Sequence, residues 1–248
     1  MNINKLLQKI KYKSIAEFEN TLIPSQKIIF DNFRRYTKLE ESYILSHLNR
    51  IKNYQHGDEY KFKKPKTIMQ TEWYYRTSEK YIFSLLEHRP WKYIEKVKKG
   101  KILDYGGGIG IDSLWLSSKS GFIIDYFDIN VIQSDFVKFM LKNQSINNIM
   151  VLSPFIANKF DPVNCICDNY DGILLRSVLE HIYYYDELLK HLISKINKGG
   201  YIYEASRFGV SKKDPMHIDE KIRVKDLLKS SGFEIIFQSG VHRIWKRH

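Results

Sequence analysis

Lys101-Ile-Leu-Asp-Tyr-Gly-Gly-Gly-Ile-Gly110 begins as an apolar run, carries an acid at Asp104, and then places glycine at 106, 107, 108 and 110. Lys101 to Tyr105 reads as a buried strand, the glycines as a tight turn, and Ile111 to Ser118 as the helix that follows. Glycine suits such a turn because a side chain would hold the backbone away from a ligand, and because it accepts positive φ. The amides at the helix start then face that ligand. This order of elements marks a site for a nucleotide-type cofactor. A dinucleotide GxGxxG read from Gly106 fails, since it needs glycine where Ile111 stands.

Beyond this stretch, strand and helix alternate. Phe122 to Phe127 is an apolar run ending at Asp128, Gln133 to Lys142 reads as a helix, and Ile149 to Leu152 as a short third strand. Tyr170 to Leu175 reads as a fourth strand, Asp186 to Ile196 as a helix, and Tyr201 to Ala205 as a fifth strand. A helix over Arg223 to Ser231 precedes a sixth strand at Glu234 to Gln238, and Ser239-Gly240 permits a hairpin into Val241 to Lys246. Such alternation argues a parallel sheet covered on both faces.

The pattern Asp104-x-Gly106-x-Gly108-x-Gly110 resembles motif I of class I S-adenosylmethionine-dependent methyltransferases. Val178-Leu-Glu-His-Ile182 looks like the LEHI segment that follows the fourth strand in that family. Lys195-Ile-Asn-Lys-Gly-Gly200 with Tyr201 to Ala205 resembles its helix, paired-glycine turn and fifth strand. The resemblance implies an α/β fold, a Rossmann-like doubly wound sheet of about seven strands in the order 3-2-1-4-5-7-6, with S-adenosylmethionine as cofactor. It places Gly106, Gly108 and Gly110 under the methionine part of the cofactor and Asp128 on the ribose hydroxyls. A carboxylate suits a vicinal diol because it accepts two charge-assisted hydrogen bonds. Asp104, Ile129 and Arg176 complete the implied cofactor set.

Residues 99–248 are expected to form the cofactor-binding catalytic domain, and residues 1–98 a helical subdomain. Ile15 to Leu22 and Gln26 to Tyr36, separated by Pro24, and Leu39 to Lys52 carry helical spacing. Polar residues from Asn53 to Lys66 suggest a loop, and Thr71 to Glu87 restores a helical pattern. In the resembled family N-terminal helices often cover the cofactor as a lid. Trp73 and Tyr74 are then candidates for substrate contact through their aromatic faces, and Arg76 for the carboxylate of the cofactor's methionine part.

The chain has 248 residues, 43% of them hydrophobic, which indicates a globular protein with a substantial core. No signal-peptide core and no run of about 18 apolar residues is present, so a cytoplasmic protein without a membrane span is expected. Cys165 and Cys167, the two cysteines, are too few for a structural metal site without nearby histidines. The net charge of +12 is uneven: residues 1–100 hold 21 Lys and Arg against 11 Asp and Glu, the remainder 19 against 17. A basic N-terminal part attracts RNA, acidic peptides or phosphorylated small molecules, or serves solubility alone.

Methyl transfer from a sulfonium is an in-line displacement, to which positioning contributes about 7–11 kcal/mol in favourable cases. It demands no metal, and a general base only where the acceptor must lose a proton. Asp214-Pro-Met-His-Ile-Asp219 follows the fifth strand on the ligand-binding side of such sheets, which makes His217 the first candidate base. His181 in the LEHI segment is the second, with Glu180 beside it. Tyr184, within Tyr183-Tyr-Tyr185, is a candidate for the substrate pocket.

The function expected is methyl transfer to oxygen or nitrogen of a small molecule or modified peptide, in natural-product metabolism. The alternative is an RNA methyltransferase gripping phosphates with the basic N-terminal part. Against it, Arg176-Ser-Val-Leu179 stands where enzymes of exocyclic base nitrogens commonly carry an NPPY-type tetrapeptide, and there is no Pro-Cys nucleophile. A third reading, a binding subunit that has lost its cofactor, conflicts with the intact glycines and Asp128.

Overall fold

The computed structural model describes residues 12–51, 99–209, 217–220 and 222–248. Its centre is a seven-stranded sheet. Strand β1 (Gly100–Tyr105) is paired in parallel with β2 (Phe122–Phe127) on one side and with β6 (Tyr170–Arg176) on the other. β3 (Ile149–Val151) extends the sheet beyond β2, and β7 (Ile196–Ala205) extends it beyond β6, both in parallel. β9 (His242–Arg247) and β8 (Phe233–Ser239) close the far side as an antiparallel pair. The order β3-β2-β1-β6-β7-β9-β8 is the expected 3-2-1-4-5-7-6 once β4 (Phe155–Ile156) and β5 (Lys159–Phe160) are set aside as a separate two-stranded hairpin.

Successive strand residues face opposite sides, as period two requires. Ile102, Ile124, Leu174, Tyr203 and Ile244 enter one core layer. Leu103, Phe127, Ile173, Ile202 and Trp245 enter the other. Helices α4 (Ile111–Ser117) and α5 (Val131–Asn143) supply the first layer, and α6 (Tyr185–Ser194) and α7 (Val224–Ser230) the second. The start of α5 is set by Asn130, whose side chain accepts from the amides of Ile132 and Gln133; this satisfies helix donors that would otherwise lack partners.

The N-terminal helices α1 (Ile15–Glu19), α2 (Pro24–Thr37) and α3 (Glu41–Ile51) pack onto the first layer. Phe33 meets Phe136 of α5 edge-on at 6.2 Å between ring centroids, and Asn143 donates to the Asn32 side chain at 3.2 Å. Their core is continuous with that of the sheet.

Two segments differ from the sequence reading. The turn expected at Gly199-Gly200 lies inside β7, which begins at Ile196 and absorbs the irregularity as a register shift against β6. The β4–β5 hairpin has no apolar alternation to announce it; it turns on Ala157 and Asn158, with φ of 47° and 65°, the paired positive values of a type I′ turn.

Candidate functional site

The glycine turn is tied to the end of β2. The amides of Gly106 and Gly107 both donate to the Phe127 carbonyl, at 2.8 and 3.0 Å. The Gly108 amide donates to Asp128 Oδ2 at 2.9 Å, and the Asn130 amide to Oδ1 at 2.7 Å. The Tyr126 hydroxyl donates to the Gly108 carbonyl. Gly106, Gly108 and Gly110 adopt φ of 73°, 58° and 79°, a region that residues with a Cβ rarely occupy. Gly107 is required for space instead: a Cβ there would stand 2.6 Å from Tyr126 Cε2 and 2.9 Å from Asp104 Oδ2.

Above the loop lies a cleft enclosing about 870 Å³ of space, part of it open to solvent. It sits at the carboxyl ends of β1, β2 and β6, where strand order reverses, the position at which doubly wound sheets bind ligands. Asp104, Gly106, Gly107, Gly108, Asp128, Ile129 and Arg176 all line it. The sequence-predicted cofactor residues are thus gathered in one place except for Gly110, which caps the start of α4 instead of lining the cleft, and Arg76, which lies outside the described residues.

The electrostatics are set by burial. Asp104, 3% exposed, accepts from Ser113 Oγ at 2.6 Å; burial, and then the charge of Asp112, pushes its carboxyl up to about 7. Burial likewise pushes Asp128 up to about 6 against the opposing pull of the Asn130 and Gly108 amides. Arg176 is held by Asp112, its Nη1 donating to both carboxylate oxygens at 3.1 and 3.0 Å.

Asp112 and Gln133 are two cleft residues that sequence reasoning missed. An acid in the first turn of α4 is the only sequence signal for Asp112. Gln133 gives none, since it reads as an ordinary polar helix residue. It is 1% exposed, and its Nε2 has no hydrogen-bond partner. A buried amide donor without an acceptor carries a desolvation cost, which a ligand acceptor at this wall removes. One carboxylate for a diol, two for cationic groups, one guanidinium, an orphaned donor and apolar walls at Ile109, Ile129 and Val178 form a donor set that fits S-adenosylmethionine.

The candidate bases come together beside this cleft. His181 and His217 meet edge-on, their ring centroids 4.8 Å apart, and Glu180 joins them. They arrive from different loops: His181 ends the 3₁₀ turn η1 (Leu179–His181) after β6, and His217 lies beyond β7. The Ile218 amide ties the two by donating to the Glu180 carbonyl at 2.8 Å. Tyr184 is 8% exposed and packs in the second core layer, with Tyr105 and Leu188 in the same cluster, and it does not line the cleft. Burial, chiefly, keeps its hydroxyl protonated well past the usual tyrosine range. Trp73 and Tyr74 lie outside the described residues. None of the cleft-lining residues comes from α1, α2 or α3.

The family pattern described as "Methyltransferase domain" matches residues 74–209, more than half of the chain. No curated protein matches. Among solved structures, TehB from Haemophilus influenzae is similar at a TM-score of 0.50 and 17% identity, over 62% of this chain and 60% of that one. The [4+2]-cyclase SpnF is similar at 0.49 and 16%, over 60% of this chain and 57% of its own. A SAM-dependent methyltransferase from Methanosarcina mazei is similar at 0.46 and 15%, over 64% of this chain and 99% of its own. The chain therefore spans about three-fifths of the length of the first two.

Proposed function

The chain belongs to the methyltransferase-domain family, and we propose that it is an S-adenosylmethionine-dependent enzyme that methylates an oxygen or nitrogen of a small molecule or modified peptide. When bound, the cofactor supplies an electrophilic methyl group on a sulfonium. Asp128 would hold the ribose hydroxyls, Asp104 and Asp112 would lie toward the cationic groups, and Arg176 would serve the carboxylate. Gln133 is assigned to an acceptor of the adenosine part. The apolar residues Ile109, Ile129, Val178 and Ile182 exclude water from the cleft wall.

The observation that carries the choice of acceptor is the cleft itself. It is lined by apolar residues around a few convergent polar groups, the make-up of a small-ligand site, and a histidine pair stands next to it. An acceptor phenol, carboxylic acid or ammonium must lose a proton, and we assign its removal to the cluster of His217 and His181. A place in natural-product metabolism, a cytoplasmic location and membership of a LEHI-type subfamily belong to the same proposal. No helix among the described residues is long and apolar enough to cross a membrane.

The test is radiolabelled methyl transfer from the cofactor into a cell extract separated into small molecules, peptides and RNA. Label is expected in the small-molecule or peptide fraction. The basic residues 1–100 favour the second reading, RNA methylation, and label confined to RNA would establish it in place of the first.

A further inference from the structure

Glu180, His181 and His217 offer one ligand atom each, all within 4.8 Å of one another. The three are drawn together by backbone, not by chance rotamers. The Arg207 amide donates to Glu180 Oε1 at 3.2 Å, and the Ile218 amide donates to the Glu180 carbonyl next to His217. Glu180 is 2% exposed, yet its Oε2 has no hydrogen-bond partner. A carboxylate buried among two imidazoles with an oxygen left over is costly in the protein alone. Its presence is accounted for by a cation.

We propose that Glu180, His181 and His217 bind a divalent transition-metal ion of the zinc or cobalt type. Two imidazoles and one carboxylate are the donors preferred by zinc, cobalt, nickel and iron, whereas magnesium and calcium favour all-oxygen sets. Bonds of about 2.1 Å place tetrahedral donors roughly 3.4 Å apart, so the cluster, within 4.8 Å, must contract by up to about 1.4 Å, within reach of side-chain rotation. Three protein ligands leave at least one coordination position open. Val178 and Ile182, on either side of η1, line the cofactor cleft, so the ion borders the space where the acceptor is placed.

The site deepens the proposed function and rests on it for the acceptor alone. An acceptor hydroxyl in the open position is acidified, as zinc lowers the pKa of bound water from 15.7 to about 7. Its proton leaves to solvent, the oxygen lone pair takes the methyl carbon, and the carbon–sulfur electron pair stays on sulfur. The removal of the proton assigned to the His217 and His181 cluster is then achieved through the ion that the two rings hold.

The experiment is a cobalt titration of the untagged, chelator-stripped full chain, read by visible absorption, followed by displacement with zinc. One equivalent is expected to bind, and His217→Gln, His181→Gln and Glu180→Gln should each weaken binding at least tenfold. All three variants should retain S-adenosylhomocysteine binding, which shows that they are folded. No cobalt bound by the wild type, or binding unchanged in the three variants, overturns the site. Failure of the acceptor reading would appear separately, as methyl transfer to RNA with the cobalt titration intact.

Discussion

Gly107→Ala adds one methyl group at the point where the loop has least room. Its Cβ would stand 2.6 and 2.7 Å from Tyr126 Cε2 and Cδ2 and 2.9 Å from Asp104 Oδ2. The Tyr126 ring is fully buried and its hydroxyl is bound to the Gly108 carbonyl, so it has nowhere to turn. The loop must therefore move. Overpacking of this kind costs about 1–3 kcal/mol, and a chain of this size loses about 2–4 °C of Tm per kcal/mol. A fall of roughly 2–12 °C in the cofactor-free protein is expected. Moving the loop also displaces the Gly108 amide from Asp128. A hydrogen bond to a charged group is worth about 1.5–3 kcal/mol, so S-adenosylhomocysteine should bind about 10- to 150-fold more weakly. Differential scanning fluorimetry and calorimetry read the two effects. Adding Tyr126→Val makes room for the new methyl, so the double variant should be less destabilised than the sum of the single ones. Wild-type Tm and affinity in Gly107→Ala would refute the packing described for the loop.

Asp128→Ala should weaken cofactor binding by a similar factor, about 10- to 150-fold, as measured by calorimetry. Since burial raises the Asp128 carboxyl to about 6 and the ligand diol needs the ionised form, wild-type affinity should be full above pH 7 and fall as pH drops through 6; Asp128→Ala should lack this dependence. Arg176→Ala leaves Asp112 without its guanidinium. Breaking a buried pair costs about 3–5 kcal/mol, and with Arg176's side chain 25% exposed the lower end applies, so Tm should drop by roughly 6–12 °C. Removing Asp112 as well should recover part of that loss, and additive losses would count against the pairing.

Short-range patterns were enough for the main strands, whereas their order came from the family resemblance. The runs of Lys101–Tyr105, Phe122–Phe127 and Tyr170–Leu175 are buried over most of their length, and a strand covered on both faces reads as a mostly apolar run, so its limits are written locally. The cofactor loop was equally legible, because positive φ at 106, 108 and 110 restricts those positions to glycine within a few residues of chain. Asp128 was legible as the acid that ends an apolar strand. The β4–β5 hairpin was not, since two-residue strands carry no period to read.

What the sequence could not supply is every feature made of residues far apart in the chain. The need for glycine at 107 comes from Tyr126, which meets it only when β1 and β2 pair. The hold of Asp112 on Arg176 joins residues 64 positions apart. Gln133 reads as an ordinary helix residue until burial removes its amide from water. His181 and His217 were each visible as titratable residues, but their meeting, with Glu180 between two loops, depends on β6 and β7 lying side by side. Local sequence determines backbone conformation and which face is apolar; the contacts that define charge, space and coordination are decided only when the strands close into one sheet.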